Sequence, residues 1–213
     1  LLDPPFDGRE IALTHHSVEL LTQLGVWAGI PPDQIHPLCD ARILDGQGMV
    51  QEFTISHRDG RRSQLGYLVA NHWIRRAAMA AVASQPEVDL WTGLRCVQAR
   101  SDAGAAEVQL SDGRTLRARL LVAADSRHSE TRRALGIGAT LEDFGRTMLV
   151  CRMRHAGAHQ HTAWEWFGHG QTLALLPLTE HESSVVLTLP HTEIQALLAM
   201  DAAAFNAALR TRF

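Results

Sequence analysis

The residues with chemical potential in this chain gather where apolar runs give way to polar ones. Asp125 follows the apolar run Leu121-Val122-Ala123-Ala124, and Ser129 and Arg132 come soon after it. A carboxylate, a hydroxyl and a guanidinium at the end of an apolar strand, just before a helix, can do two different things. They can serve a ligand, because open α/β sheets bind ligands beyond the carboxyl ends of their strands and helix N-termini offer free N–H groups to phosphates. They can instead serve the helix, with Asp125 or Ser129 as its cap and Arg132 as a solvated charge. Residue types alone leave both open. Arg9, before a predicted helix, is in the same way either a surface charge or a cation facing a ligand. Asn71 closes the apolar stretch Leu65–Val69 and heads a helical pattern, so it is expected at the cap of that helix.

These residues need elements to position them. Val18, Leu21 and Leu24 recur at helical spacing with Gly25 behind them, which predicts a helix over Thr14–Leu24. Leu65–Val69 reads as a strand. Ile74, Ala77, Ala78, Ala81 and Val82 follow as a helix that Pro86 stops. Val108 and Leu110 alternate with polar residues, Asp112-Gly113 is a hairpin turn, and Leu116, Ala118 and Leu120 form the return strand. The continuous apolar run Leu120–Ala124 suits a strand buried on both faces, as in a parallel sheet. After Gly138 the texture changes to strands at Thr147–Met153, Thr162–Phe167, Leu173–Leu176 and Ser184–Leu189, then a helix from about Thr192. The expected fold is mixed α/β (α+β), with a partial Rossmann-like portion over residues 1–138. An antiparallel β-sheet lobe and the start of a following helix occupy 139–213. Two such lobes meeting at a cleft make a usual ligand site.

Bulk composition removes several function classes. Apolar residues make up 46% of the 213-residue chain and charged residues 20%, an ordinary globular balance. The net charge is -3 and the arginine pairs are isolated, so no nucleic-acid partner is expected. Three scattered cysteines argue against a disulfide framework and for a reducing, cytoplasmic setting. No apolar stretch is long enough to span a bilayer, which leaves peripheral membrane association through a partner open. His155, His159 and His161 lack cysteines or carboxylates at ligand spacing, so no metal is expected. Neither a Gly-x-Ser-x-Gly elbow nor a phosphate loop occurs.

The segment from Asp125 resembles the second fingerprint of the para-hydroxybenzoate-hydroxylase-like flavin monooxygenases, an Asp-Gly followed by a Ser and an Arg. Asp125, Ser129 and Arg132 fall at its places, and Ser126 replaces the usual glycine. If that position needs a positive φ, serine is strained there. Asp7-Gly8-Arg9-Glu10-Ile11-Ala12-Leu13, with Ser17 and Leu24-Gly25-Val26-Trp27, is similar to the segment after the first flavin-binding unit of the ubiquinone-pathway hydroxylases. Leu68-Val69-Ala70-Asn71-His72-Trp73-Ile74-Arg75 is similar to their strand-to-helix junction. Trp164-Glu165-Trp166-Phe167 and Leu173–Leu178 resemble their substrate-lobe strands.

The resemblance implies an FAD- and NAD(P)H-dependent hydroxylase that uses dioxygen on a small aromatic substrate, a polyprenyl phenol of the ubiquinone pathway. It also implies flavin contacts at Arg9, Asn71, Asp125, Ser129 and Arg132. Trp164, Trp166, Phe167 and Pro177 would line the substrate, though strand alternation keeps the three aromatics from sharing one pocket. The flavin carries the chemistry in such enzymes and the protein positions and shields it. A homodimer or a peripheral ubiquinone-pathway complex would be the partners. A non-catalytic scaffold on a decayed hydroxylase fold is the alternative. The glycine-rich dinucleotide turn does not occur, and the family's later Gly-Asp segment is expected beyond Phe213. Leu1-Leu2 reads as the end of a strand and Phe205–Phe213 as an unfinished helix. The chain therefore reads as a central fragment, expected to hold no FAD and to be inactive by itself.

Overall fold

The structure, a computed structural model, describes residues 3–46, 51–168 and 170–212. The strand end read at Leu1-Leu2 lies outside them. In chain order the first elements are β1 (Glu10–Thr14), α1 (His15–Gln23), β2 (Ile35–Leu38), β3 (Asp40–Asp45), β4 (Gln51–Ser56), β5 (Gly66–Ala70) and α2 (Asn71–Ala83). There follow β6 (Cys96–Ser101), β7 (Ala106–Leu110), β8 (Thr115–Ala118) and α3 (Glu130–Ala134). The chain continues through β9 (Arg146–Arg154), β10 (Thr162–Gly168), β11 (Gln171–Pro177), β12 (Glu182–Pro190), α4 (His191–Leu198) and α5 (Ala202–Arg210). Two compact units result: Leu1–Val88 with Phe144–Phe213, and Asp89–Asp143.

In the first unit, β1, β5 and β2 make a small antiparallel sheet in the order β1-β5-β2. Side chains alternate across a strand. Val69, Leu13 and Ile35 therefore share one face, which packs with Val26, Ile30 and Ala77 under α1 and α2. Thr14 caps α1, its side chain accepting from the Ser17 N–H at 3.2 Å. Gly66 is fixed by close approach, since an added Cβ would lie 2.3 Å from the Leu13 carbonyl oxygen.

The second sheet of this unit runs β4-β3-β10-β11-β12-β9. It is antiparallel except where β10 pairs parallel with β3, so the expected purely antiparallel lobe is a mixed sheet that also recruits β3 and β4. Strands β9 to β12 fall where the alternation placed them. On one face Leu149, Leu173, Val185 and Leu187 pack with Ile194, Leu197 and Leu209 of α4 and α5. Burying a side chain of that size contributes roughly 1.5–3 kcal/mol. Asp201 caps α5 at 2.8 Å from the Ala204 N–H, and the helix ends at Arg210. The opposite face, which carries Arg152, meets the face of the small sheet that carries Glu10. This unit is thus layered helix, sheet, sheet, helix.

The second unit is a β6-β7-β8 meander with α3. Its hairpin turns at Asp112-Gly113, where Gly113 has φ +87°. The return strand ends at Ala118, and Leu120–Ala124 is not a strand. Leu120 and Val122 are 75% and 72% exposed. An all-apolar run is buried only when strands flank it, and among the described residues none pairs with it. Among the described residues no helix is long and apolar enough to cross a membrane.

Candidate functional site

Strands β1 and β5 are antiparallel, with Glu10 opposite Ala70. The residues before β1 therefore lie beside those after β5, and Arg9 meets Asn71 across the sequence. The Asn71 N–H bonds the Arg9 carbonyl at 2.9 Å. Asp7 completes the corner. One carboxylate oxygen takes hydrogen bonds from Arg9 Nε at 3.0 Å, Arg9 Nη2 at 2.5 Å and Asn71 Nδ2 at 2.8 Å. These bonds, those from Arg9 first, hold the Asp7 pKa down at about 2. Asn71 is not the cap expected of it. Ala70 occupies the N-cap of α2 and its methyl side chain can make no cap bond, while the Asn71 amide donates to Asp7 instead.

The result is a positive corner. The first turn of α2 carries neither an acidic residue nor a side-chain cap, so beyond the Asn71 N–H, which the Arg9 carbonyl takes, its N–H groups can serve an anion. The Arg9 side chain stands 60% exposed beside them. His72 has a buried Nδ1 with no partner, and its ring packs edge-on against Phe6 at 5.3 Å. Arg9 and the free first-turn N–H groups can together hold an anion such as a phosphate.

Behind the corner lies an ion pair that sequence reading missed, with a buried carboxylate and a part-exposed guanidinium. Glu10 accepts from Arg152 Nε at 3.1 Å and Nη2 at 2.6 Å, and its side chain is 0% exposed. Burial pushes its carboxyl pKa up, outweighing the arginine bond. Arg152 lies 3.6 Å from Glu182 and stacks over Phe6 at 4.8 Å. No spacing rule joins residues so far apart along the chain.

Asp125, Ser129 and Arg132 form a separate cluster in the other unit, and it serves its own helix. Ser129 is the N-cap of α3, with Oγ accepting from the Arg132 N–H at 2.9 Å and donating to Asp125. Asp125 also accepts from the Thr131 N–H at 3.1 Å. Both bonds hold its carboxyl far below the usual range, the Ser129 hydroxyl contributing most. The Arg132 guanidinium donates to the Ile137 carbonyl. Ser126 has φ +80°, so the strain expected of serine at a glycine position is present.

Register separates the three aromatics. Trp164 and Trp166 lie opposite Leu175 and Leu173, hence on the α4/α5 face, where they line an apolar cavity of about 240 Å³ with Leu44. Phe167 points to the other face, the one carrying Arg152, and is 45% exposed. Pro177 ends β11 opposite Ser183 and is fully buried. The ring nitrogens of His155 and His159 are spent locally. His155 bonds the Gly157 carbonyl at 2.5 Å and Ser183 Oγ at 2.9 Å, and His159 bonds the Thr179 carbonyl at 2.5 Å.

Comparison with known proteins adds context to this geometry. The FAD binding domain family profile matches residues 6–210. Ubiquinone hydroxylase UbiM of Neisseria meningitidis is 45% identical over 200 residues, covering 92% of this chain and 43% of that protein. Ubiquinone hydroxylase UbiL of Rhodospirillum rubrum is 32% identical over 213 residues, covering 100% and 49%. The chain spans about half the length of these curated relatives. The crystal structure of PqsL from Pseudomonas aeruginosa superposes with a TM-score of 0.77 at 20% identity, over 99% of this chain and 57% of that one. At that identity the likeness is one of fold.

Proposed function

The chain belongs to the FAD binding domain family, and from that premise we propose that the protein is an FAD- and NAD(P)H-dependent monooxygenase hydroxylating the aromatic ring of a ubiquinone precursor. The relatives' names support the substrate class: two ubiquinone hydroxylases align over most of this chain. The observation that carries the cofactor reading is the corner where Arg9 and the uncapped N-terminus of α2 stand together. FAD, when bound, supplies the redox and oxygen chemistry. The chain's own residues hold and orient. Arg9 and the first-turn N–H groups of α2 grip a phosphate. Asp7 fixes the Arg9 guanidinium and the Asn71 amide in register, and its depressed pKa keeps it a charged acceptor. Phe167, on the Arg152 face, is the aromatic best placed to pack against a substrate ring. Trp164, Trp166 and Pro177 support the sheet behind it. Asp125, Ser129 and Arg132 order the α3 turn of their own unit. In this reading residues 1–138 serve the cofactor and 139–213 the substrate.

The contacts in this chain alone bind FAD weakly. Charge-assisted hydrogen bonds contribute roughly 1.5–3 kcal/mol each, against roughly 4–15 kcal/mol for immobilising a ligand. The test therefore uses protein expressed from the complete reading frame, given NADH or NADPH, a polyprenylated phenol and ¹⁸O₂. One labelled oxygen atom in the ring product is expected. NAD(P)H oxidation that sends all the oxygen to hydrogen peroxide, whatever phenol is offered, would contradict the proposal.

A further inference from the structure

We propose that Arg152 is a positioning residue for the cofactor corner: it braces the segment Phe6–Glu10 from beneath and so aims Arg9. This rests on the reading of Arg9 as a cofactor contact. Among the described residues β1 pairs only with β5. Its other edge has no backbone ladder to fix its tilt, so a side chain must do it. Arg9 directly precedes Glu10, and their side chains are 60% and 0% exposed, so they point to different sides. Drawing Glu10 inward to Arg152 therefore turns Arg9 outward to the rim.

Arg152 holds both ends of the segment. At one end its Nε and Nη2 converge on a single Glu10 oxygen, at 3.1 and 2.6 Å. At the other its guanidinium lies 4.8 Å from the Phe6 ring, which in turn meets His72 in the first turn of α2. Between them sits Gly8 at φ +74°, a conformation that lets the chain turn and would otherwise let it hinge. The strand that carries Arg152 is locked on its inner side, with Arg152 paired to Ser184 across β9 and β12. The brace thus ties the cofactor strand to the sheet that carries Phe167.

Stability alone does not call for this arrangement. A buried ion pair can often be replaced by apolar residues of similar size with no loss of stability, whereas removing one partner leaves a costly buried charge. The Glu10 Oε2 and Ser184 Oγ atoms are buried without partners, so polar groups here are not arranged for maximal satisfaction. What the fork of an arginine supplies over an apolar pair is direction.

The experiment compares the complete protein as wild type, as Arg152→Met with Glu10→Met, and as Arg152→Lys. The double variant removes both charges and so leaves no buried carboxylate behind. Expected are an apoprotein melting midpoint within about 3 °C of wild type and FAD binding weaker by about tenfold. Arg152→Lys, which keeps the charge but not the fork, should weaken FAD by about threefold. A folded double variant that binds FAD as wild type does would overturn the proposal. If the double variant does not fold, unchanged FAD affinity in Arg152→Lys overturns it instead. Wild-type protein that binds no FAD sinks the functional reading first, and this inference with it.

Discussion

Two aspartates in this chain collect hydrogen bonds in the same way and to different ends. Asp125 takes its donors from Ser129 and Thr131, four and six residues along. Asp7 takes three donors from Arg9, two residues along, and a fourth from Asn71, sixty-four residues away. The local cluster is a folding device: it starts α3 and uses up its own polar groups. The long-range cluster closes the end of a sheet and leaves a guanidinium and a helix terminus facing water. Donor bonds that cross the sequence can present a site, whereas donor bonds inside one turn mostly satisfy themselves.

Substitution can break the comparison from either side. Asp7→Ala has the larger expected effect. It removes an acceptor shared by a guanidinium and an amide, and a charged hydrogen bond is worth about 1.5 kcal/mol or more when sheltered, less here because the carboxylate is partly open to water. A loss of about 1 kcal/mol in chemical denaturation of the unit containing β1 and β5 is expected, with α3 unaffected. Loss of protection at α3 instead would mean the two clusters are not independent. The same cluster sets a pH dependence. Asp7 is depressed from 3.8 to about 2, so its contribution is present above pH 4 and fades as pH falls toward 2. Asp7→Ala should abolish that part of the acid sensitivity.

Ser126→Gly sharpens the other side with a smaller effect. A non-glycine residue at φ +80° pays for its Cβ, about 1 kcal/mol, part of which glycine returns through its greater freedom when unfolded. Amide exchange over residues 129–135 should slow slightly. Faster exchange would show that the serine conformation is not strained.

Much of this was readable from sequence. Helix α1, the Asp112-Gly113 hairpin and strands β9 to β12 follow from spacing that the structure reproduces nearly residue by residue. Leu120–Ala124 misled because an unbroken apolar run reports only that a strand would be buried if neighbours flanked it. Asn71 misled because Asn suits an N-cap, and only the tertiary fold puts Asp7 within its reach. Glu10 and Arg152 carried no signal at all. Each reads as an ordinary charge until the two sheets face each other. For the three aromatics the alternation rule separates Phe167 from Trp164 and Trp166, but does not say which face meets the strand that follows Arg9.

The claim that the Asp7 corner holds a phosphate of FAD is most directly tested by titrating FAD into the complete protein and its Arg9→Ala variant. Arg9 makes its described side-chain bonds only to Asp7 on an exposed rim, so its loss should leave the fold intact. The account predicts FAD binding weaker by about tenfold, equivalent to about 1.4 kcal/mol, with an unchanged melting midpoint of the apoprotein. Equal FAD affinity in the two proteins would contradict it.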